Sequence, residues 1–312
     1  MVTPDARADD RTDLRLDAEL VRRGLARSRR QAVELIDAGR VRLDGRVASK
    51  PSTAVPAEAP VTVVADPKDP GYASRAGGKL AGALDALRAD PEGRDLVSSI
   101  DGGWCLDVGA STGGFTDVLL RRGARHVVAL DVGHDQLVPG LRADDRVTVV
   151  EGFNLRDLTP ADLERTPDVV VGDLSFISLT LVLGPLAAVL GPASHLLLLV
   201  KPQFEVGRER LGSGGVVRDP GLHAQAVHGV LRAAATHGLV ARAVVPSPLP
   251  GPSGNREFFC WLRPSTAAAA ATDADRAATE GDAAVAAAVA WRPGDPDAPP
   301  SVPPVLTIGG AP

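Results

Sequence analysis

The chain is expected to fold as an α/β protein, with a seven-stranded, doubly wound sheet following a small α+β domain. Three observations lead there. From Ser74 to about Arg263, apolar runs alternate with amphipathic segments, the pattern of a sheet with helices on both faces. The runs are continuous rather than alternately apolar and polar, as strands buried on both faces require. A glycine-rich turn, Gly109 to Gly114, follows the first run and opens a helix, which gives the sheet a Rossmann-like beginning.

In chain order, Met1 to Asp10 is polar and acidic, and residues 1–10 are expected to be disordered. Residues 11–65 mix short helical and strand-like patterns and form the small domain. Within it Ser28-Arg29-Arg30-Gln31 reads as a capping box, Ala32, Val33, Leu35 and Ile36 give an apolar face, and Gly39 ends the helix. Asp66-Pro-Lys-Asp-Pro-Gly71 is a cluster of helix and strand breakers, so residues 66–73 read as a linker. Residues 74–263 form the large domain. Its first five strands are Trp104–Asp107, His126–Asp131, Val147–Val150, Asp168–Gly172 and His195–Val200, all parallel. Leu239–Val245 and Glu257–Leu262 follow, joined by a Pro/Gly-rich connection without a helix, which predicts an antiparallel final hairpin. Residues 264–312 are rich in Ala, Pro and Asp with little apolar bulk, and are expected to be disordered, or transiently helical around Ala267 to Ala290.

Composition narrows the setting. Apolar runs such as Leu196–Val200 are too short to span a bilayer, and Met1–Asp10 has no apolar stretch of the kind a secretory signal needs. Cys105 and Cys260 are the only cysteines, lie far apart and sit among strand-like residues, so they read as buried thiols. His134, His223 and His228 share no ligand spacing. A cytoplasmic protein with no metal and no membrane partner is expected. The net charge of −5 is unevenly spread. Eleven basic and six acidic residues lie between Arg11 and Lys50, while the last stretch from Pro264 has two basic and six acidic. A basic head on an acidic chain suits nucleic acid, although a solvated helix face would look the same.

In that head Arg15, Arg27, Arg29, Arg30, Arg40, Arg42 and Lys50 could contact phosphates, which the planar guanidinium binds bidentately. Arg15-Leu-Asp17, Leu20-Val21, Gly24-Leu25, Ser28-Arg29, Ala32, Leu35-Ile36, Gly39, Val41, Gly45 and Lys50-Pro51 stand in register with a known pattern. Through them the stretch resembles the αL-type RNA-binding domain named after a small-subunit ribosomal protein. That resemblance implies binding to structured RNA, mainly through shape and phosphates.

The glycine turn reads Leu106-Asp107-Val-Gly109-Ala-Ser111-Thr112-Gly113-Gly114-Phe115. Its spacing is not the Gly-x-Gly-x-x-Gly of dinucleotide enzymes. Asp107 at the strand end disfavours a pyrophosphate but suits an ammonium group, and Asp131 ends the next strand where an acid can hold ribose hydroxyls. Together they describe a pocket for an adenosine joined to an amino acid, S-adenosyl-L-methionine, with Gly109, Ser111, Thr112, Gly113, Gly114 and Phe115 of the turn as further cofactor contacts. Asn154 follows the third strand and either edges the adenine or serves as a turn residue.

Only four lysines occur, Lys50, Lys68, Lys79 and Lys201, against thirty arginines. A lysine can lose its proton when buried or beside other cations, and an arginine cannot. Lys201 ends the fifth strand at the carboxyl edge of the sheet, where open α/β folds place ligands. Asp173 ends the neighbouring strand, Lys79 lies just before the first helix of the domain, and Glu257 starts the last strand. A Lys-Asp-Lys-Glu set on this fold is similar to that of the FtsJ-type ribose 2′-O-methyltransferases. The order of the basic domain, Ser74-Arg-Ala-Gly-Gly-Lys-Leu80, Asp107-Val-Gly-Ala-Ser-Thr-Gly-Gly-Phe115, Asp173-Leu-Ser-Phe-Ile-Ser-Leu179 and Lys201-Pro-Gln-Phe-Glu205 resembles the TlyA family over residues 11 to about 263. The resemblance implies 2′-O-methylation of cytidine in ribosomal RNA, with Lys79, Asp173, Lys201 and Glu257 as the catalytic set and Asp173 also edging the cofactor. It departs at Ala76, where many relatives have glycine, and at Phe153, where threonine is common.

On this reading Lys201 is the base, Lys79 its partner near the nucleophile, and the two carboxylates orient them. Val206 to Gly215 is either a mobile lid or an ordinary surface loop. A nicotinamide-dependent oxidoreductase would need a different glycine spacing. A non-catalytic RNA-binding or ribosome-assembly factor would not need the lysines and acids. Direct pore formation by a haemolysin would need a spanning segment or a secretion signal that the residues do not offer.

Overall fold

The chain divides into two units between Pro70 and Gly71. A computed structural model describes residues 14–26, 29–64, 70–265, 274–293 and 302–308. The N-terminal segment 1–10, the cap at Ser28, Arg27 and the first half of the expected linker, 66–69, lie outside the described residues.

In the first unit β1 (Leu14–Arg15) leads into α1 (Leu16–Arg22), followed by α2 (Arg29–Asp37), β2 (Val41–Leu43), β3 (Arg46–Val47), β4 (Ala54–Val55) and β5 (Val61–Val63). β2 pairs antiparallel with β3 and β5, and β1 with β4. Three of the four residues read as the apolar face are buried: Ala32, Leu35 and Ile36 of α2 pack with Leu16, Leu20, Val41 and Val61, while Val33 is half-buried outside that cluster. Gly39 follows α2 with a φ of +66°, a conformation that favours glycine at a helix end.

The second unit begins at Gly71 and includes Tyr72 and Ala73, the last residues of the expected linker. They already belong to it: Ala73 N donates to Asp117 Oδ2 at 2.7 Å, and the Arg121 guanidinium lies over the Tyr72 ring. There follow α3 (Ala76–Ala89), α4 (Gly93–Ser98), β6 (Trp104–Val108), α5 (Gly114–Arg121), β7 (His126–Leu130), α6 (Pro139–Arg142), β8 (Val147–Val150) and β9 (Val169–Gly172). Then come α7 (Leu183–Ala188), β10 (His195–Val200), α8 (Pro202–Glu205), α9 (Pro220–Thr236), β11 (Leu239–Pro246), β12 (Phe258–Pro264), α10 (Ala274–Ala290) and β13 (Leu306–Thr307).

All seven expected strands form, in the spatial order β11-β12-β10-β9-β6-β7-β8. β6 to β10 are parallel to their neighbours among themselves, and β12 enters antiparallel between β10 and β11. Successive residues of a strand serve opposite faces: Leu196, Leu198 and Val200 of β10 join the core that includes α7, α9 and α10, whereas Leu197 and Leu199 join the core of α3, α4 and α5. Both faces are dry, which is why the sequence shows unbroken apolar runs.

The C-terminal stretch departs from expectation. Residues 264–312 are expected to be disordered, or transiently helical around Ala267 to Ala290, yet 274–293 and 302–308 fold onto the domain. β13 pairs antiparallel with β11 and makes an eighth strand, Ala243 against Thr307. Ala284, Val285, Ala288 and Val289 of α10, with Ile308, enter the core over α9 and β11. Their i, i+1, i+4, i+5 spacing gives one narrow apolar stripe. Small alanines let that helix approach closely, so an alanine-rich composition conceals a packing face. Among the described residues no helix is long and apolar enough to cross a membrane.

Candidate functional site

Sheet register gathers the site. Val108 lies beside Gly172, Gly172 beside Leu198, and Val200 opposite Phe258. The residues at the carboxyl ends of β6, β9 and β10 therefore share one rim with the amino end of the antiparallel β12. Asp107, Asp173, Lys201 and Glu257 all stand there. Lys79, expected just before the first helix, instead lies within α3, which already starts at Ala76, and joins them from its first turns.

Two ion pairs result. Lys79 Nζ donates to Glu257 Oε2 at 2.5 Å, with side chains 5% and 0% exposed. Lys201 Nζ lies 2.7 Å from Asp173 Oδ1 and donates to Ser175 Oγ at 2.7 Å. The contact to Asp173 is an ion pair without hydrogen-bond alignment, so Asp173 Oδ1 still lacks a hydrogen-bond donor. Gln203, two residues past Lys201, donates to the other Glu257 oxygen at 3.2 Å and so ties the pairs together. Glu205 fastens α8 to the loop after β9, accepting from Ser178 Oγ and Leu179 N; burial pushes its carboxyl up from the ordinary value.

The glycine turn is built around two acids. Asp107 is fully buried, with Oδ2 accepting from Thr116 Oγ1 at 2.6 Å. Burial pushes its carboxyl up to about 7, the Thr116 hydrogen bonds pull it down, and Asp173 and Asp131 add repulsion. Asp131 receives Ser111 N on one oxygen at 2.8 Å and Gly133 N on the other at 2.7 Å, which pins the turn to the end of β7. Gly109 and Gly113 have φ of +80° and +93°. A Cβ on Gly109 would come within 2.9 Å of Leu174 Cδ2 and 3.1 Å of Asp173 O, so only glycine lets the turn lie against the next strand end. Gly114 closes against Gly77 N of α3 in the same way.

Two buried side-chain atoms at this rim lack hydrogen-bond partners within the protein, Asp107 Oδ1 and Gln203 Oε1, whereas Asp173 Oδ1 already faces the Lys201 ammonium at 2.7 Å. Orphaned acceptors are costly when dry, and their grouping marks a place made for a ligand that donates hydrogen bonds. An amino-acid ammonium beside Asp107 Oδ1 fits this donor demand, and Asp131, whose oxygens each take one backbone N–H, keeps lone pairs for hydroxyls, so the residues present suit S-adenosyl-L-methionine.

Some residues read as cofactor contacts have other duties. Phe115 is 2% exposed and packs its ring 6.0 Å from that of Phe259, in the core below the turn. Asn154 caps the short turn Leu155–Asp157 by accepting from Arg156 N at 3.2 Å. Ser111 is exposed, and its hydroxyl donates to Gln136 Oε1 at 3.0 Å. Thr112 is half-buried. Sequence reasoning missed Thr116, Ser175 and Gln203 as partners. All three lie inside the quoted motifs or one residue beyond, but nothing in their spacing says which atom they meet.

In the first unit Arg15 and Arg29 meet on Asp17, at 3.1 and 2.9 Å, and Arg22 joins Glu19 at 2.5 Å. Arg40 Nε donates to Val64 O at 3.0 Å, Arg42 is half-buried in β2, and Lys50 is exposed. The side chain of Arg30 lies outside the described residues.

Comparison with known proteins agrees with this geometry. Residues 72–264 match the FtsJ-like methyltransferase family and residues 14–61 the S4 domain. The chain is 54% identical over 252 residues to the 16S/23S rRNA (cytidine-2′-O)-methyltransferase TlyA of Mycobacterium tuberculosis, covering 81% of this chain and 90% of the relative. The chain belongs to the TlyA family. Another member, Hemolysin A of Brachyspira hyodysenteriae, is 36% identical over 79% of this chain and 98% of its own length. A solved structure from Streptococcus thermophilus, named as a hemolysin, superposes with a TM-score of 0.65 at 35% identity, covering 89% of this chain and 96% of that one. The expected TlyA resemblance and α/β fold thus hold over both units.

Proposed function

We propose that this TlyA-family chain transfers a methyl group from S-adenosyl-L-methionine to a ribose 2′-OH of cytidine in ribosomal RNA, acting on ribosomal subunits in the cytoplasm. The observation that carries the reading is the pairing of each lysine with one acid at the rim that also holds the orphaned Asp107 oxygen. The names of the relatives supply the substrate class.

Asp107 would take the amino-acid end of the donor, Asp131 the ribose hydroxyls, and Gly109 and Gly113 the close backbone approach. When bound, the donor supplies an electrophilic methyl on a sulfonium. The residues of the chain supply the rest. A ribose hydroxyl attacks better as its proton leaves, and Lys201 Nζ accepts it as the neutral amine, after its own proton has passed to solvent. The ammonium so formed is the state that Asp173 and Ser175 stabilise. Lys79, fixed by Glu257, orients the hydroxyl oxygen for in-line attack. In the first unit Arg15, Arg27, Arg29, Arg30, Arg40, Arg42 and Lys50 hold RNA phosphates, so their contribution falls with salt.

The test is ribose-methylation mapping on ribosomal RNA incubated with the purified chain and S-adenosyl-L-methionine. A new 2′-O-methylcytidine is expected with the native chain, and none with Lys201→Ala or Lys201→Arg. Full transfer by Lys201→Ala removes the mechanism; no methylation by the native chain removes the function.

A further inference from the structure

Arg256 stands in sequence between Asn255 and Glu257, yet its side chain serves neither the rim nor the loop beside it. Its Nη1 donates to Val289 O at 2.5 Å, and its Nη2 donates to Ala288 O at 3.3 Å and to Trp291 O. These carbonyls close the C-terminal turn of α10, where a helix leaves acceptors without internal partners and its dipole favours a cation. Arg292 binds the same turn, donating to Val289 O at 2.7 Å and Ala290 O at 3.0 Å.

Arg256 is half-buried, and burial followed by repulsion from Arg292 brings its guanidinium down to about 10. Among the described residues no carboxylate pairs with it; the Phe258 ring lies 5.4 Å away. Among the described residues the charge is met by a helix end and an aromatic face, and that helix lies beyond residue 264, where the FtsJ-like match stops.

We propose that α10 is a positioning element of the active site, whose last turn clamps Arg256 and thereby fixes Glu257 against Lys79 and Gln203. On the other flank Asn255 accepts from Val217 N at 2.9 Å and donates to Gly215 O at 3.0 Å. Three consecutive residues therefore tie the loop before α9, the C-terminal helix and the buried lysine to one strand entrance. Glu257 spends both oxygens on partners, so a shift of its backbone disturbs Lys79 and the Lys201 segment together. The inference rests on the reading of Glu257 as part of a methyl-transfer site.

The experiment is a double-mutant cycle on the full chain, pairing Arg256→Met with Ala287→Pro, which breaks the end of α10. Each change alone is expected to lower kcat for RNA methylation roughly 10- to 100-fold, the scale of a small misplacement of reacting groups. KM for S-adenosyl-L-methionine should be unchanged, and the double variant should be no worse than the worse single one. Arg256→Lys should recover part of the rate, since an ammonium still reaches the carbonyls. Amide hydrogen exchange, read without any activity, should speed up at residues 255–258 in both single variants. Multiplying effects on kcat, losses confined to KM, or unchanged exchange at 255–258 would each overturn the proposal. A native chain that transfers no methyl group sinks the function and leaves the exchange measurement to decide the clamp.

Discussion

Lys79 Nζ and Glu257 Oε2 meet at 2.5 Å across 178 residues of sequence, and both side chains are almost wholly withdrawn from water. Two charges taken out of water gain little net stability over an apolar pair, but losing one partner strands the other. Lys79→Met is therefore expected to destabilise the chain by about 3–5 kcal/mol. Adding Glu257→Leu should restore most of that stability while methyl transfer stays absent. Urea unfolding of the three variants checks this; a Lys79→Met chain as stable as the native one would show the pair to be solvated.

Asp107 sets a pH window for donor binding. Its carboxyl titrates at about 7 when folded against 3.8 when free. Because the folded value is raised, the ligand-free chain holds its proton more tightly than the unfolded one. Stability from this group is full below about pH 4 and is lost as pH rises through 7. A bound ammonium prefers the ionised form, so the Kd for S-adenosyl-L-methionine should rise about tenfold for each pH unit below 7. Calorimetric titration from pH 8 to 5.5 reads the slope, and Asp107→Asn should bind weakly with the slope gone. A flat native profile would place the ammonium elsewhere.

Gly109 carries a steric prediction. An alanine there needs a left-handed backbone, costing about 1–2 kcal/mol, and its Cβ meets Leu174 and the Asp173 carbonyl. Gly109→Ala should fold with lowered melting temperature and lose donor binding, because the turn must lift away from β9. Native affinity in that variant would mean that the turn is not the cradle.

His195 gives the fold an acid limit away from the rim. Trp261 Nε1 can only donate, so His195 Nδ1, 3.2 Å away, carries a lone pair and the ring is neutral. Burial, with Arg263 adding repulsion, lowers the ring to about 4 from 6.5. With the folded value depressed, stability is full above about pH 6.5 and falls as pH drops toward 4. His195→Gln should flatten that part of a thermal-melt profile between pH 7 and 4.5; an unchanged profile would assign the acid loss to other groups.

The strands and the rim acids were legible because two simple constraints write them. A sheet buried on both faces needs unbroken apolar runs, and residues that end parallel strands share an edge whatever their distance in sequence. Lys79 and Glu257 could be paired in advance only through resemblance, since no periodicity links α3 to β12. Thr116, Ser175 and Gln203 stayed hidden because hydroxyls and amides have no signature beyond their place in a motif. Phe115 was misjudged for a related reason: a residue beside a turn can point to ligand or core, and spacing does not separate the two. The helix at 274–290 was legible only as a transient one, and its docking was not, because alanine packs by closeness rather than by bulk and leaves a stripe of low hydrophobicity.

β12 enters the sheet between two strands synthesised before it, and its first neighbour is the acid that Lys79 needs. A nascent chain that has emerged as far as Val200 already owns the glycine turn and both donor-facing aspartates, but has no Glu257. The polypeptide thus acquires a place to hold the methyl donor well before it acquires the means to spend it. On the proposed reading the catalytic set is complete only once β12 has paired with β10.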